Sequence, residues 1–143
     1  MIHIATDGAC KGNPGPGGWG VAIFDDEDDL LETGRGGSKS TTNNRMELTA
    51  FIMACEDILA GYMDEDITFH IDSTYVLKGV TEWLDGWIRK DFKNVKNRDL
   101  WERVESYRYV WKDCAFLWVK GHSGDRYNEA ADTLANEGYK GLL

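Results

Sequence analysis

The chain has 143 residues, 42% hydrophobic and 29% charged, enough to bury a core in one compact domain expected over residues 1–143. Its formal net charge is −9, from 16 basic and 25 acidic residues, which argues against the basic footprint usual for a nucleic-acid partner. No run approaches the roughly 18 apolar residues of a membrane span, no basic start and long apolar run marks a secretory signal, and an odd cysteine count without a CxxC pair argues against a disulfide framework or zinc site; a cytoplasmic protein is expected.

The first five residues of interest, IHIAT (Ile2–Thr6), alternate and end at Asp7-Gly8, a strand meeting a turn. Cys10 falls in that turn. GNPGPGG (Gly12–Gly18) is too densely punctuated to be regular and reads as a loop. WGVAIFD (Trp19–Asp25) is the returning strand, DDEDD (Asp25–Asp29) its solvated acidic tip, and LLETGRGG (Leu30–Gly37) a third strand, so the opening is an antiparallel meander. Asn44 or Thr42 caps a helix running to about Ala60, apolar on most sides and therefore buried on the sheet, with Cys55 in its core. DITFHID (Asp66–Asp72) is a short strand, and Ser73–Asp91 is helical with a break expected near Gly79 or Gly86. A further helix covers about Arg98–Tyr109. AFLWVK (Ala115–Lys120), with Cys114 at its start, is the last strand, and Asp125 caps a final helix over about Arg126–Tyr139. The order β-β-β-α-β-α-α-β-α implies parallel pairing in the second half and a mixed sheet covered by helices.

The helix opening with TTNNRMELTA carries an anomaly. From Glu47, helical spacing leads to Phe51, Ala54 and Ile58, so a carboxylate heads a face destined for the core. Two strands also end in aspartates, Asp7 and Asp72, and sites in open α/β sheets form at the carboxyl ends of strands. Adjacent parallel strands would set these two side by side, Glu47 would join them, and Asp132 lies one turn into the last helix. Clustered, buried carboxylates resist ionisation. Either some stay protonated or divalent cations bind, and hard ions such as Mg²⁺ prefer oxygen ligands. Two such ions form the clamp used for phosphodiester displacement, and no thiolate or imidazole cluster competes for a softer metal.

The segments TDGACKGNPGPGGWG, TTNNRMELTA, IDSTYV and WVKGHSGDRYNEAAD resemble the motifs of type 1 ribonuclease H, in that family's order and over nearly the whole chain. The resemblance implies an α/β ribonuclease H-like fold, a five-stranded mixed sheet in the order 3-2-1-4-5 with helices on both faces. It implies hydrolysis of the RNA strand of RNA–DNA hybrids with two Mg²⁺ ions, or Mn²⁺ in their place, leaving 5′-phosphate and 3′-hydroxyl ends. Asp7, Glu47, Asp72 and Asp132 match the metal-binding carboxylates. His122, in KGHSG, matches a loop histidine, and imidazole is the group best suited to moving a proton near neutral pH. The same resemblance assigns hybrid contacts to Cys10, Asn13, Asn43 and Asn44, and to Glu47 a 2′-hydroxyl as well as metal. Thr42 and Asn97 match positions gripping a phosphate of the DNA strand. Trp83 and the basic stretch Trp87–Arg98 (Arg89, Lys90, Lys93, Lys96 and Arg98 against Asp91) match a handle lying along the DNA backbone.

Plainer roles are expected for other residues: His3 and His70 are structural, and Arg45 orients groups beside the site. Thr74 stands where many relatives carry glutamine, the handle is shortened between Trp87 and Leu100, and the chain is acidic where many relatives are basic. Other nucleases built on acidic clusters lack the combined TTNNRMEL and KGHSG segments, and a non-catalytic hybrid-binding module would be expected to have lost a carboxylate. The Met1 start and self-sufficient core favour a free-standing enzyme over a released reverse-transcriptase domain, acting as a monomer with no obligate protein partner and no membrane attachment. A net +4 stretch on a −9 body predicts weak hybrid binding with a steep salt dependence. Affinity measured from low to moderate salt should fall along a straight log–log line; a flat response contradicts the expectation.

Overall fold

The computed structural model describes residues 1–121 and 123–142. Strands β1 (Ile2–Cys10), β2 (Gly15–Phe24), β3 (Leu30–Thr41), β4 (Ile67–Ile71) and β5 (Ala115–Trp118) form one sheet in the order β3-β2-β1-β4-β5. The β1–β2 and β2–β3 pairs are antiparallel, and the β1–β4 and β4–β5 pairs are parallel. Helices α1 (Asn43–Gly61), α2 (Thr74–Lys78), α3 (Leu84–Arg89), α4 (Arg98–Ser106), α5 (Arg108–Trp111) and α6 (Arg126–Lys140) surround it. No helix among the described residues is long and apolar enough to cross a membrane.

The two sheet faces are chemically unlike, and alternation along the strands is the cause. Ile2 and Ile4 of β1, Val21 and Ile23 of β2, and Phe69 and Ile71 of β4 form one core with Leu48, Phe51, Ile52, Cys55 and Ile58 of α1. Trp101 and Val104 of α4 continue it. Phe51, Phe69, Phe116 and Trp111 interlock there, with Phe69 and Phe116 stacked at 5.3 Å. The opposite face is lined mainly by small and polar groups, with Phe24 at one end against the Tyr127 ring, and α6 lies on it through Ala131 and Ala135. Its approach is limited by backbone alone: a Cβ on Gly20 would stand 2.4 Å from the Ala131 carbonyl oxygen and 2.7 Å from the Ala135 nitrogen. His3 and His70 sit on this face as a hydrogen-bonded pair, Nδ1 to Nε2 at 3.0 Å, against the Tyr127 ring of α6.

Several boundaries differ from the sequence expectation. The Gly-rich segment is not all loop: β2 begins at Gly15, and β1 continues to Cys10, because backbone pairing (Cys10 with Gly17) needs no side chains to drive it. Strand β3 likewise extends to Thr41. Asp7 therefore lies inside β1 rather than at its end. Thr42, not Asn44, caps α1: its side chain accepts from the Arg45 amide at 3.3 Å. The second helical run breaks at Gly79, where a π-helical turn (Gly79–Trp83) replaces the α-helix. Gly79 lies flat on the buried Trp101, where a Cβ would be 2.0 Å from the ring. The run Arg98–Tyr109 is two helices hinged at Tyr107, and β5 stops at Trp118.

Because a methyl group at Gly20 collides with main chain rather than with a movable side chain, Gly20→Ala should lower the unfolding free energy by about 1–3 kcal/mol. Urea denaturation measures this, and an unchanged midpoint would mean that α6 can lift from β2 without loss.

Candidate active site

The parallel β1–β4 ladder runs from Ile2↔Ile67 to Thr6↔Ile71. The next residue on each strand is an aspartate, so Asp7 and Asp72 emerge together where the ladder ends. Asp7 remains paired across to Gly20 of β2, which fixes its backbone. Glu47 arrives from α1. Gly8 permits this, since a Cβ there would stand 2.5 Å from the Glu47 nitrogen, and the helix rests directly on the strand. One carboxylate oxygen from each of Asp7, Glu47 and Asp72 lies within 4.8 Å of the others. Asp7 and Glu47 are only 3% and 5% exposed. Gly121 closes over Asp72, with its would-be Cβ 3.1 Å from Oδ2.

Burial, then the charges of Glu47 and Asp72, push the Asp7 carboxyl far above its ordinary 3.8. Burial and the Asp72 charge also raise Glu47, while hydrogen bonds from Asp7 and from the Gly8 amide partly offset the rise. The two carboxyls therefore resist ionising together, because like charges side by side and away from water disfavour each other. Asp132 stands beside this trio: its side chain is within hydrogen-bonding reach of Asp7, and its charge acts on Glu47. It is half-buried one turn beyond the buried Asn128 and is held by Asn136. Glu47 Oε2 is buried without a hydrogen-bond partner among the described residues, and so is Asn128 Oδ1. An unpartnered, buried carboxylate oxygen facing two other acids fits a hard divalent cation. His122 lies outside the described residues.

The remaining candidates surround this cluster. Asn43 and Asn44 form, with Ser73, Thr74 and Tyr75, the rim of a cleft whose floor includes Glu47 and Asp72. The Asn43 amide donates to Asn13 Oδ1 at 3.1 Å, tying the turn after β1 to the start of α1. The Cys10 thiol faces the Gly15 and Thr41 carbonyls at 3.5 Å. A second hollow adjoins the cleft, lined by Tyr75, Trp87, Lys90, Lys93, Asn94, Val95 and Lys96. Trp83, 39% exposed, and Arg89 flank it rather than line it; Trp87 takes the lining place. Here α3 gives way to tight turns with positive φ at Asp91, Phe92, Asn94 and Asn97. Asn97 sits in α4's N-cap position, half-buried beside Arg45, whose guanidinium pairs with Asp99 at 2.7 Å. The importance of Tyr75 was not apparent from the sequence, where an aromatic residue at helical spacing reads as core; Trp87 and Val95 fall within the basic stretch but were not singled out there.

A mixed 3-2-1-4-5 sheet with carboxylates converging where its central parallel ladder ends defines a ribonuclease H-like protein. The RNase H family model matches residues 1–140, and the chain belongs to that family. Ribonuclease H of Albidiferax ferrireducens is 47% identical over 150 residues, covering 96% of this chain and 93% of its own. Ribonuclease HI of Caulobacter vibrioides is 47% identical over 146 residues, covering 97% and 93%. Among solved structures, LC11-RNase H1 in complex with RNA/DNA hybrid is similar with a TM-score of 0.77 at 25% identity, covering 100% of this chain and 99% of its own.

The raised Asp7 carboxyl has a measurable consequence without metal. A carboxyl whose pKa is raised on folding stabilises the fold fully below its unfolded value, near 3.8 for Asp7, and that contribution is lost as pH rises towards the folded value. In chelator, unfolding free energy should therefore fall between pH 5 and 8 by on the order of 1 kcal/mol per pH unit. Asp7→Asn should flatten that slope. Denaturation at several pH values checks both, and a parent protein stabilised by rising pH would contradict the upward shift of Asp7.

Proposed function

We propose that this chain hydrolyses the RNA strand of RNA–DNA hybrids, with Asp7, Glu47, Asp72 and Asp132 holding two divalent ions, Mg²⁺ or Mn²⁺ in its place. The observation that carries the reading is the approach of three carboxylates, two of them buried, in a member of the RNase H family. That family depends on divalent metal, and ions bound here would supply charge stabilisation at the phosphate and a water of lowered pKa. The residues do the rest. Cations bound here would offset the mutual repulsion of the four carboxylates and favour their ionised form as a ligand set. Water adds to phosphorus and the bond from phosphorus to the 3′-oxygen breaks, leaving a 5′-phosphate and, once a proton reaches the departing oxygen, a 3′-hydroxyl. His122, ten residues before Asp132, is assigned the movement of that proton.

Selection of RNA is assigned to the cleft rim. Asn43, Asn44, the Asn13 and Cys10 turn, and Glu47 meet the RNA strand, where a 2′-hydroxyl offers both a donor and an acceptor. Thr42 and Asn97 receive a phosphate of the DNA strand. The neighbouring basic hollow, with Lys90, Lys93 and Lys96 around Trp87, supports this reading, because lysines along an aromatic wall suit a nucleic-acid backbone. Trp83 and Arg89 extend that surface. The reading includes one catalytic domain over residues 1–143, a monomer acting in the cytoplasm without an obligate protein partner.

The deciding experiment incubates the protein with labelled RNA–DNA hybrid, single-stranded RNA, duplex RNA and duplex DNA, with Mg²⁺ and with chelator. Metal-dependent cutting confined to the RNA of the hybrid is expected; equal cutting of duplex RNA would sink the substrate assignment. Asp7→Asn should abolish activity. His122→Ala should slow turnover by about 10²-fold or more while calorimetry shows metal affinity retained. Loss of metal affinity in that variant would make His122 a ligand instead.

A further inference from the structure

Asn97 is built against the usual habit of its position. Asparagine is favoured as a helix N-cap because its side-chain oxygen accepts from an amide of the first turn. Asn97 occupies the N-cap of α4, yet its side chain makes no capping bond. Its backbone takes the left-handed conformation at φ 59°, which asparagine tolerates better than most residues. The amide is turned instead across the fold: Oδ1 accepts from Arg45 Nη1 at 3.4 Å, and Nδ2 donates to Tyr75 Oη at 3.1 Å. Arginine has only donors, so the amide orientation is unambiguous.

Tyr75 is itself held rigidly. Its hydroxyl accepts a second bond from the indole of Trp101 at 2.9 Å, and Trp101 is fully buried. Its ring meets Trp101 edge-on at 5.6 Å and Trp83 at 6.5 Å. With both lone pairs of its oxygen engaged, the hydroxyl is fixed. Tyr75 also lines both the cleft above Glu47 and Asp72 and the basic hollow, so it is the wall between them.

We infer that Tyr75 is a positioning residue: through its hydroxyl it orients the Asn97 amide, so that the second Nδ2 hydrogen points outward to a phosphate of the DNA strand. This rests on the reading of Asn97 as a phosphate contact. Tyr75 supplies the fixed acceptor for Nδ2 while Arg45 occupies the Oδ1 that a capping bond would use, and it ties the gripped strand to the wall of the catalytic cleft.

The test is a walk of single methylphosphonate linkages, one neutral phosphate at a time, along the DNA strand of a hybrid, with Mg²⁺ present. In the parent enzyme one position should carry a marked rise in KM, and Asn97→Ala should erase the penalty at that position. Tyr75→Phe should raise KM on the unmodified hybrid by about 5-fold, the worth of one modest hydrogen bond. Its kcat should stay within about 2-fold of the parent, since the bond lies on the binding side of the reaction. It should shrink the same positional penalty, and adding it to Asn97→Ala should change nothing further. Trp101→Phe removes the other donor and leaves the Tyr75–Asn97 bond, so the penalty should persist. Tyr75→Phe made in that background leaves no orphaned indole, which keeps the comparison available if the single variant is too unstable. Retention of the penalty in Tyr75→Phe, when Asn97→Ala has lost it, overturns the positioning role alone. Retention in Asn97→Ala overturns the phosphate contact and the inference with it.

Discussion

Everything about this molecule follows from forcing mutually repelling acids together at the edge of a dry core. Each unit of pKa displacement represents about 1.4 kcal/mol between the two protonation states, so Asp7 and Glu47 hold one of the less favourable environments in the chain. The fold tolerates this because the groups are carried by its most constrained backbone. Asp7 is a strand residue paired to β2, Asp72 directly follows β4, and Glu47 rides on a helix pressed onto β1 at Gly8.

The unequal faces of the sheet serve the same end. On the α1 side, large aromatic and branched side chains interlock and provide most of the apolar burial. On the α6 side, glycine and alanine let a helix lie against the strands at main-chain distance. Asp132 rides on that helix, so its placement beside Asp7 is set by backbone contact and not by the adjustable ends of side chains. A side chain in place of Gly20 would have to lift α6, and Asp132 would move with it.

Much of this was legible in the sequence. The mixed sheet and the approach of Asp7, Glu47 and Asp72 followed from alternation, parallel pairing and one carboxylate heading an apolar stripe, whereas the strand order came from the resemblance to type 1 ribonuclease H. The misreadings share a cause. Segments held by main-chain pairing, such as Gly15–Gly18, carry no side-chain signature of a strand, so β2 looked shorter than it is. The α1 cap was ambiguous because neighbouring residues could all cap, and only geometry distinguishes Thr42. Tyr75 was overlooked because an aromatic residue at helical spacing reads as core, whereas here it presents one side to the interior and the other to a hollow.

The turns after α3 have a mechanical consequence. Asp91, Phe92, Asn94 and Asn97 all adopt left-handed backbone angles, and the Phe92 side chain is buried at 4% exposure. Such angles are costly for side-chain-bearing residues, particularly bulky ones, and a loop anchored by an inward phenylalanine has few other shapes to visit. The lysines on it therefore stand at a set distance from the acids across the Tyr75 wall. The loop and the acid cluster are thus two fixed points on either side of one aromatic wall, set apart like the rigid jaws of a calliper.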